Sequence, residues 1–201
     1  MTMHTTPTVL FVPGLRDYVA DHWQTLMQAR LPRAACVPPL EHHKLSCAAR
    51  VAALDKALGG IEGPVVLVAH SAGVIATVHW ARLHDRPIHG ALLVTPPDLE
   101  VPMPAGYPTC DALELNGWVP CPREPLPFPS VVCASRNDPL AGFERVARMA
   151  ADWGSRLLDV GKVGHLNPAA GYGEWPLAKS LIDALCEQPP SMQSSNVAHS
   201  A

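Results

Sequence analysis

Charge is scarce in this chain, and it has no long apolar segment. Only 16% of its 201 residues are charged, and the formal net charge is -3. A broad basic surface for nucleic acid or anionic lipid is therefore not expected. No apolar run approaches the roughly 20 residues that span a bilayer, so a membrane partner is not expected either.

The N-terminus and the cysteines show no mark of a secreted protein. The first residues, MTMHTTPT, lack both the basic segment and the apolar core of a signal peptide, so we expect a cytoplasmic location. The six cysteines include no Cys-x-x-Cys pair, and the chain is longer than small disulfide scaffolds. His42 and His43 have no cysteine or carboxylate at metal-ligand spacing. We expect neither a metal nor a cofactor.

Short apolar segments alternate with amphipathic ones along most of the chain. They predict strands at residues 8–12, 34–38, 64–69, 90–95, 130–135 and 155–160. Helices are predicted at about residues 21–31, 46–60, 71–84, 140–153 and 175–186. This alternation predicts an α/β fold, with a mostly parallel sheet of about six strands and helices on both faces. Its length suits a single domain over residues 1–187.

Two segments depart from this alternation. Residues 96–129 contain ten prolines and no predicted helix longer than two turns, yet they are rich in apolar and aromatic side chains. We interpret them as an ordered, proline-rich flap that lies on the edge of the sheet. Residues 188–201 are small and polar, and we predict a disordered C-terminal tail there.

Ser71 stands directly between a predicted strand and a predicted helix, in the sequence VAHSAGV. A serine with no loop residue on either side must occupy a very tight turn, like the nucleophile of hydrolases with a Gly-x-Ser-x-Gly motif. We expect the turn to require small residues two before and two after the serine, and Ala69 and Gly73 are small. Alternatively, Ser71 is only the N-cap of the following helix, because serine is a favoured capping residue.

Asp138 and His165 are the candidates for the other two groups that a nucleophilic serine needs. A base activates the serine, an acid orients the base, and the chain order in such hydrolases is serine, acid, histidine. Asp138 follows the fifth predicted strand and His165 follows the sixth. Alone, Asp138 fits a turn or N-cap and His165 fits a surface loop, but their placement with Ser71 predicts a catalytic triad. Asp98, which also follows a predicted strand, is the reserve acid.

The backbone N–H groups of Leu15 and Ala72 are the predicted oxyanion donors. Ala72 follows the serine at the start of a helix, whose N-terminus favours negative charge. Leu15 lies in the loop after the first strand, where Gly14 lets the backbone approach the site. His70, which precedes the serine, is interpreted as a structural residue.

Four stretches, FVPGL…DHWQTLM, AHSAG, PFPSVVCASRNDP and VGHLNP, have the order and spacing of a known family. Over residues 8–187 the chain resembles the small serine hydrolases related to retinoblastoma-binding protein 9. The resemblance implies a three-layer α/β-hydrolase fold without a separate cap domain, the same triad, and roles for Asn137 and Asn167 in shaping the acid and base loops. The mammalian relative's Leu-x-Cys-x-Glu partner motif is not matched, since LSCAA from Leu45 lacks the glutamate.

These observations predict a serine hydrolase that cleaves an ester-like bond, possible variants being a thioester or an amide, in a small-molecule acyl substrate. The proline-rich flap is expected to narrow the pocket and to favour short or medium acyl groups. Two alternatives stay open. The chain could be a binding protein on a hydrolase scaffold that docks through surface tryptophans and the flap, or an acyltransferase that shares the acyl-enzyme step.

Overall fold

Six parallel strands form one sheet within residues 5–189, the part of the chain that the computed structural model describes. They are β1 (Thr8–Val12), β2 (Ala34–Cys36), β3 (Val65–His70), β4 (Gly90–Val94), β5 (Ser130–Ala134) and β6 (Arg156–Asp159). Their order across the sheet is β2-β1-β3-β4-β5-β6, and every neighbouring pair is parallel. The predicted α/β fold is confirmed, and each strand lies within two residues of its predicted bounds.

Helices connect most of the strands. They are α1 (Trp23–Gln28), α2 (Cys47–Gly59), α3 (Ala72–Leu83), α4 (Cys110–Leu115), α5 (Phe143–Asp152) and α6 (Pro176–Glu187), with a short 3-10 turn at Pro168–Ala170. All except α4 correspond to predicted helices. The first is shorter than predicted: it ends at Gln28, ahead of Pro32, and the residue before a proline is disfavoured in a helix.

Each face of the sheet has its own layer of helices. α1 and α6 pack on one face, and α2, α3 and α5 pack on the other. Successive residues of β3 point to opposite layers, because Val66 and Val68 join the first while Leu67 and Ala69 join the second. Burial on both faces explains why this strand reads as a continuous apolar run.

The proline-rich flap packs on the face that carries α2 and α3, so the expectation that it lies on the edge of the sheet is wrong. It connects β4 to β5, which are interior neighbours, and a connection between parallel neighbours must cross over one face. Leu113 and Trp118 of the flap are fully buried in that layer. Trp118 Nε1 donates a hydrogen bond to the Leu45 carbonyl at 2.6 Å.

Charged side chains fasten the flap to α5. Arg145 lies 3.0 Å from Asp98 (Nε to Oδ2) and also contacts Glu100. Arg123 Nη2 donates to Glu100 at 2.6 Å, and its Nη1 donates to Asp152 at 3.2 Å. Because one carboxylate is shared by two arginines and Asp98 is largely buried, these contacts form a network rather than isolated surface pairs.

The predicted tail at 188–201 falls outside the described residues except for its first two positions. Across residues 5–189, no helix is both long enough and apolar enough to cross a membrane. The same part of the chain contains no group of three metal-ligating side chains that could hold an ion, and its six cysteines carry free thiols.

The first turn of α3 touches the backbone at the end of β1. A Cβ atom on Gly73 would lie 2.2 Å from the Val12 carbonyl oxygen and 2.6 Å from that of Pro13, where no atom can fit. This contact between two elements by itself requires a glycine at position 73. The contact also brings Ser71 alongside the loop that follows β1.

Gly73→Ala should destabilise the protein by about 3 kcal/mol, because the methyl group would push α3 away from β1. Equilibrium urea unfolding measures the change. Gly59→Ala is the matched control, since Gly59 is also helical and an added Cβ there meets nothing within 4 Å. The control should be neutral or slightly stabilising. Equal stability of Gly73→Ala and the wild type would contradict the close contact.

Candidate active site

Ser71 occupies the turn between β3 and α3 with backbone angles that side-chain-bearing residues rarely adopt. Its φ is 57° and its ψ is -131°. Such a conformation costs on the order of 1–3 kcal/mol and persists where the surrounding structure enforces it. Here the Ser71 N–H donates to the Val94 carbonyl at 3.0 Å, at the end of β4. The Ser71 hydroxyl does not form a capping hydrogen bond with α3, so it is free to bond to other groups.

The three side chains of the predicted triad meet at the carboxyl edge of the sheet. Ser71 Oγ lies 2.8 Å from His165 Nε2. His165 Nδ1 lies 2.8 Å from Asp138 Oδ2 and 3.0 Å from Oδ1. Because an ionised carboxylate only accepts hydrogen bonds, the imidazole proton sits on Nδ1, and Nε2 accepts from the serine hydroxyl. In this arrangement the imidazole can take the hydroxyl proton.

Both asparagines that the family resemblance marks lie in the loops around the acid and the base. Asn137 Oδ1 accepts from the Gly164 N–H at 2.8 Å and from the Ser135 hydroxyl at 3.0 Å, and so joins the loop after β5 to the loop after β6. Asn167 Oδ1 accepts from the Ala170 N–H at 3.0 Å and begins the 3-10 turn. The Asn137 bond fixes the two loops relative to each other, and the Asn167 bond shapes the second loop internally.

Asp98, the reserve candidate for the acid, is not beside His165. Its carboxylate lies against Arg145 and accepts the Glu100 N–H at 3.2 Å. It contributes to holding the flap, and the acid that contacts His165 is Asp138.

The two predicted oxyanion donors line the same cavity as Ser71. A Cβ atom on Gly14 would lie 3.0 Å from Ser71 Cβ, so the backbone at Gly14 passes directly beside the serine. Within residues 5–189, neither the Leu15 N–H nor the Ala72 N–H has a hydrogen-bond acceptor. Two unpaired donors beside a serine could stabilise negative charge on a reacting oxygen.

Two further histidines pack behind His165. The ring centroids of His22 and His70 are 4.6 Å apart, and those of His70 and His165 are 4.9 Å apart. His70 Nε2 lies 2.9 Å from the carbonyl oxygen of His165, so Nε2 carries the proton and donates it. His70, the residue before Ser71, is thus hydrogen-bonded to the backbone of His165, and this contact is consistent with a structural role.

Burial keeps these two imidazoles uncharged. Desolvation, added to by the nearby His165, lowers the pKa of His22 to about 4. The same two causes lower the pKa of His70 well below 6.5. His22 Nδ1 also accepts the Gln24 N–H at 3.2 Å, which caps α1. Uncharged His22 and His70 therefore place no positive charge beside His165.

A mostly apolar cavity of about 130 Å³ adjoins the triad. One wall is the loop after β1, and another is the 3-10 turn that follows His165. The proline-rich flap forms a third wall with Pro97, Leu99, Met103 and Tyr107. The cavity therefore suits an apolar group attached to a carbonyl at Ser71.

Arg50 of α2 lies beneath the loop after β1, and the sequence analysis missed it. Nη1 donates to the Gly14 carbonyl and Nη2 to the Leu15 carbonyl, each at 3.2 Å. A signal was present in the sequence, because Arg50 stands three residues after Cys47 and four before Leu54, on the buried stripe of the helix. A charged residue on such a stripe indicates a specific buried partner.

Comparisons with known proteins give a family and a fold. A family model described as serine hydrolase matches residues 9–184. A crystal structure of a YdeN-like hydrolase from Pectobacterium atrosepticum shares 31% identity with a TM-score of 0.77, covering 90% of this chain and 91% of that one. No curated protein matches the chain.

Two more distant structures are similar in fold alone. The ydeN gene product of B. subtilis shares 18% identity with a TM-score of 0.72, covering 91% of this chain and 100% of that one. Est1E from Butyrivibrio proteoclasticus shares 10% identity with a TM-score of 0.63, covering 92% and 88%.

His22 should make the folded protein less stable in mild acid. Below pH 6.5 the unfolded chain binds a proton at this position, whereas the folded protein keeps His22 neutral down to about pH 4. The unfolded state therefore binds more protons in this window. Stability that is fully present above pH 6.5 is lost as the pH falls towards 4, by up to about 1.4 kcal/mol per pH unit for one such group.

His22→Asn tests this contribution, because asparagine keeps an acceptor for the cap of α1 and does not titrate. The free energy of unfolding, from urea titrations at pH 7, 6 and 5, should fall less steeply in this variant than in the wild type. His42→Asn changes an exposed histidine and should keep the wild-type slope. If His22→Asn and the wild type gave parallel slopes, His22 would not be a buried neutral group.

Proposed function

The chain belongs to the serine hydrolase family, and from that premise we propose that it cleaves esters of small acyl groups through an acyl-enzyme on Ser71. One observation carries the proposal: hydrogen bonds run without a break from Asp138 through His165 to the Ser71 hydroxyl. A serine that served only to begin a helix would direct its hydroxyl to the helix N-terminus, and Ser71 does not.

In the proposed mechanism His165 is the base, and Asp138 holds its proton on Nδ1. The Ser71 oxygen attacks the ester carbonyl carbon while its proton passes to Nε2, and Asp138 stabilises the imidazolium that forms. The carbonyl oxygen becomes an oxyanion that accepts hydrogen bonds from the N–H groups of Leu15 and Ala72. The intermediate collapses to the acyl-enzyme, and the departing alcohol takes the proton from Nε2.

Water completes the reaction. His165 takes a proton from a water molecule, the resulting hydroxide attacks the acyl carbon, and a second oxyanion forms in the same place. Collapse of this intermediate returns the proton to Ser71 and releases the carboxylic acid. In acyl transfer another nucleophile would replace the water, and in thioester or amide cleavage only the leaving group would differ.

The cavity supports an uncharged acyl group as the substrate. Its walls beside Ser71 are largely apolar. Two charged residues also line it: Asp17 is paired with Arg50 at 3.0 Å, and Arg16 is exposed to solvent. A small-molecule acyl substrate and a carboxylesterase-like specificity are accordingly part of the proposal. So is the closer relationship to the hydrolases related to retinoblastoma-binding protein 9, which the AHSAG and VGHLNP stretches support.

A fluorophosphonate probe should label the wild type, because it reacts with an activated serine. Ser71→Ala and His165→Ala should lose the label, while Ser46→Ala, which changes the N-cap of α2, should keep it. Asp138→Asn should fold and lose about 10⁴-fold in turnover of p-nitrophenyl butyrate, as in other triads. Circular dichroism checks that each variant is folded.

Equal labelling of the wild type and Ser71→Ala would show that another residue reacts. Failure of the folded wild type to be labelled or to hydrolyse any ester would favour the alternative of a binding protein on a hydrolase scaffold.

Acyl-chain length should be limited by the flap. We expect p-nitrophenyl acetate and butyrate to be hydrolysed faster than the laurate ester, because the flap closes one side of the cavity. Met103→Ala should shift the ratio of kcat/KM for octanoate over butyrate upward by about tenfold. Met149→Ala removes a core methionine outside the cavity wall and should leave that ratio unchanged. Faster turnover of laurate than acetate by the wild type would overturn the size limit.

A further inference from the structure

We propose that Arg50 positions the peptide between Gly14 and Leu15 so that its N–H can bind the oxyanion. Arg50 is then a positioning residue, since it lies outside the set of described residues that line the cavity with Ser71. The inference rests on the proposed function, because it requires the Leu15 N–H to act as an oxyanion donor.

The Arg50 guanidinium contacts the loop after β1 at three points. Nη1 donates to the Gly14 carbonyl at 3.2 Å and to Asp17 Oδ1 at 3.0 Å, and Nη2 donates to the Leu15 carbonyl at 3.2 Å. Nε donates to the Lys44 carbonyl at 2.9 Å, in the segment just before α2. Arg50 is only 8% exposed, so these bonds satisfy a buried charge. The planar fork of donors thereby joins the loop after β1 to α2.

The bond to the Gly14 carbonyl determines where the Leu15 N–H points. This carbonyl and this N–H belong to the same peptide unit, which is planar and trans, so they point in opposite directions. Arg50 holds the carbonyl on the side of α2. The N–H is therefore directed to the other side, where Leu15 lines the cavity with Ser71.

The hydrogen bond from Arg50 is needed because the backbone at Gly14 can rotate freely and does not fix the orientation of this peptide by itself. A side chain at position 14 would collide with Ser71, since an added Cβ would lie 3.0 Å from Ser71 Cβ. Gly14 therefore permits the close approach but also rotates more freely than other residues. Hydrogen bonds to its carbonyl replace the restraint that a side chain would have given.

Asp17 completes the arrangement on the other side of the guanidinium. Its N–H donates to the same Gly14 carbonyl at 3.1 Å, closing a tight turn, and its carboxylate pairs with Arg50. Asp17 adopts a φ of 53°, a left-handed conformation that aspartate tolerates better than most residues. The Gly14 carbonyl thus has two donors. A charged donor also polarises the peptide and strengthens its N–H as a hydrogen-bond donor.

Arg50→Gln and Arg50→Lys test the proposal with p-nitrophenyl butyrate as substrate. Glutamine cannot reach both carbonyls and Asp17, so kcat should fall about 10- to 100-fold, less than the loss from deleting an oxyanion donor outright. KM should stay within about twofold, because the interaction strengthens in the transition state. Lysine keeps the charge without the fork and should give an intermediate loss.

The inhibition constant of a trifluoromethyl ketone with a butyl chain measures directly how well the proposed site binds an oxyanion. The serine oxygen adds to its carbonyl carbon, the proton passes to His165, and the ketone oxygen becomes an oxyanion held in the proposed site. Its inhibition constant should weaken in Arg50→Gln by the same factor as kcat/KM. The pH at which kcat/KM rises should not move, because Asp138 and His165 are unchanged.

Arg86→Gln is the matched control. Arg86 also donates to two backbone carbonyls, those of Leu58 and Ile61, but at the far end of α2. Its replacement should lower stability and leave kcat of the folded protein unchanged. Asp17→Asn is a second variant that keeps the arginine but loosens its hold, with an expected several-fold loss of kcat.

The outcomes separate this inference from the proposed function. If the wild type is labelled at Ser71 and turns over the ester, but Arg50→Gln loses no more kcat than Arg86→Gln, the role of Arg50 is wrong and the proposed function stands. A rise in KM with kcat unchanged would also overturn it. If the wild type neither labels nor turns over, both are wrong.

Discussion

The close contact between the start of α3 and the end of β1 is the constraint on which the site depends. β1 lies between β2 and β3 in the sheet, and the chain adds strands first on the β2 side of β1 and then on its β3 side. The connections after β1 and β3 therefore leave towards opposite faces, and a crevice opens between them at the carboxyl edge. Gly73 lets the two backbones meet at the base of this crevice. Ser71 and the Gly14–Leu15 peptide stand on its two sides.

Most of the fold, and the meeting of the Ser71, Asp138 and His165 side chains, could be predicted because both depend on local order along the chain. Parallel strands bring their carboxyl ends to one edge, so a residue that directly follows a strand is near that edge wherever its strand lies in the sheet. Ser71 directly follows β3, and Asp138 and His165 lie in the loops that begin at the ends of β5 and β6, so no long-range contact has to be known to find them. The proposed oxyanion donors, Leu15 and Ala72, are predicted in the same way, as backbone groups in the turns after β1 and β3.

The features that sequence analysis missed depend on contacts between distant segments. Arg50 meets Gly14 and Leu15 across 35 or 36 positions, and His70 meets the backbone of His165 across 95. The position of the flap follows from strand order, because it crosses a face of the sheet only if β4 and β5 are parallel neighbours. Strand order is set by packing across the whole sheet, and no segment of the sequence carries it by itself.

Different residues hold the different loops of the site in place, so the cavity wall can change without disturbing the other loops. Asn137 joins the acid and base loops, and Arg50 joins the loop after β1 to α2. The flap contributes to neither anchor. Its later part is buried with Trp118 in the core, and its charged residues bind α5, so its first part forms a wall backed by fixed structure. Substitutions in that wall, at Met103 for instance, can alter the volume of the cavity beside Ser71 while the hydrogen bonds among Ser71, His165 and Asp138 stay as they are.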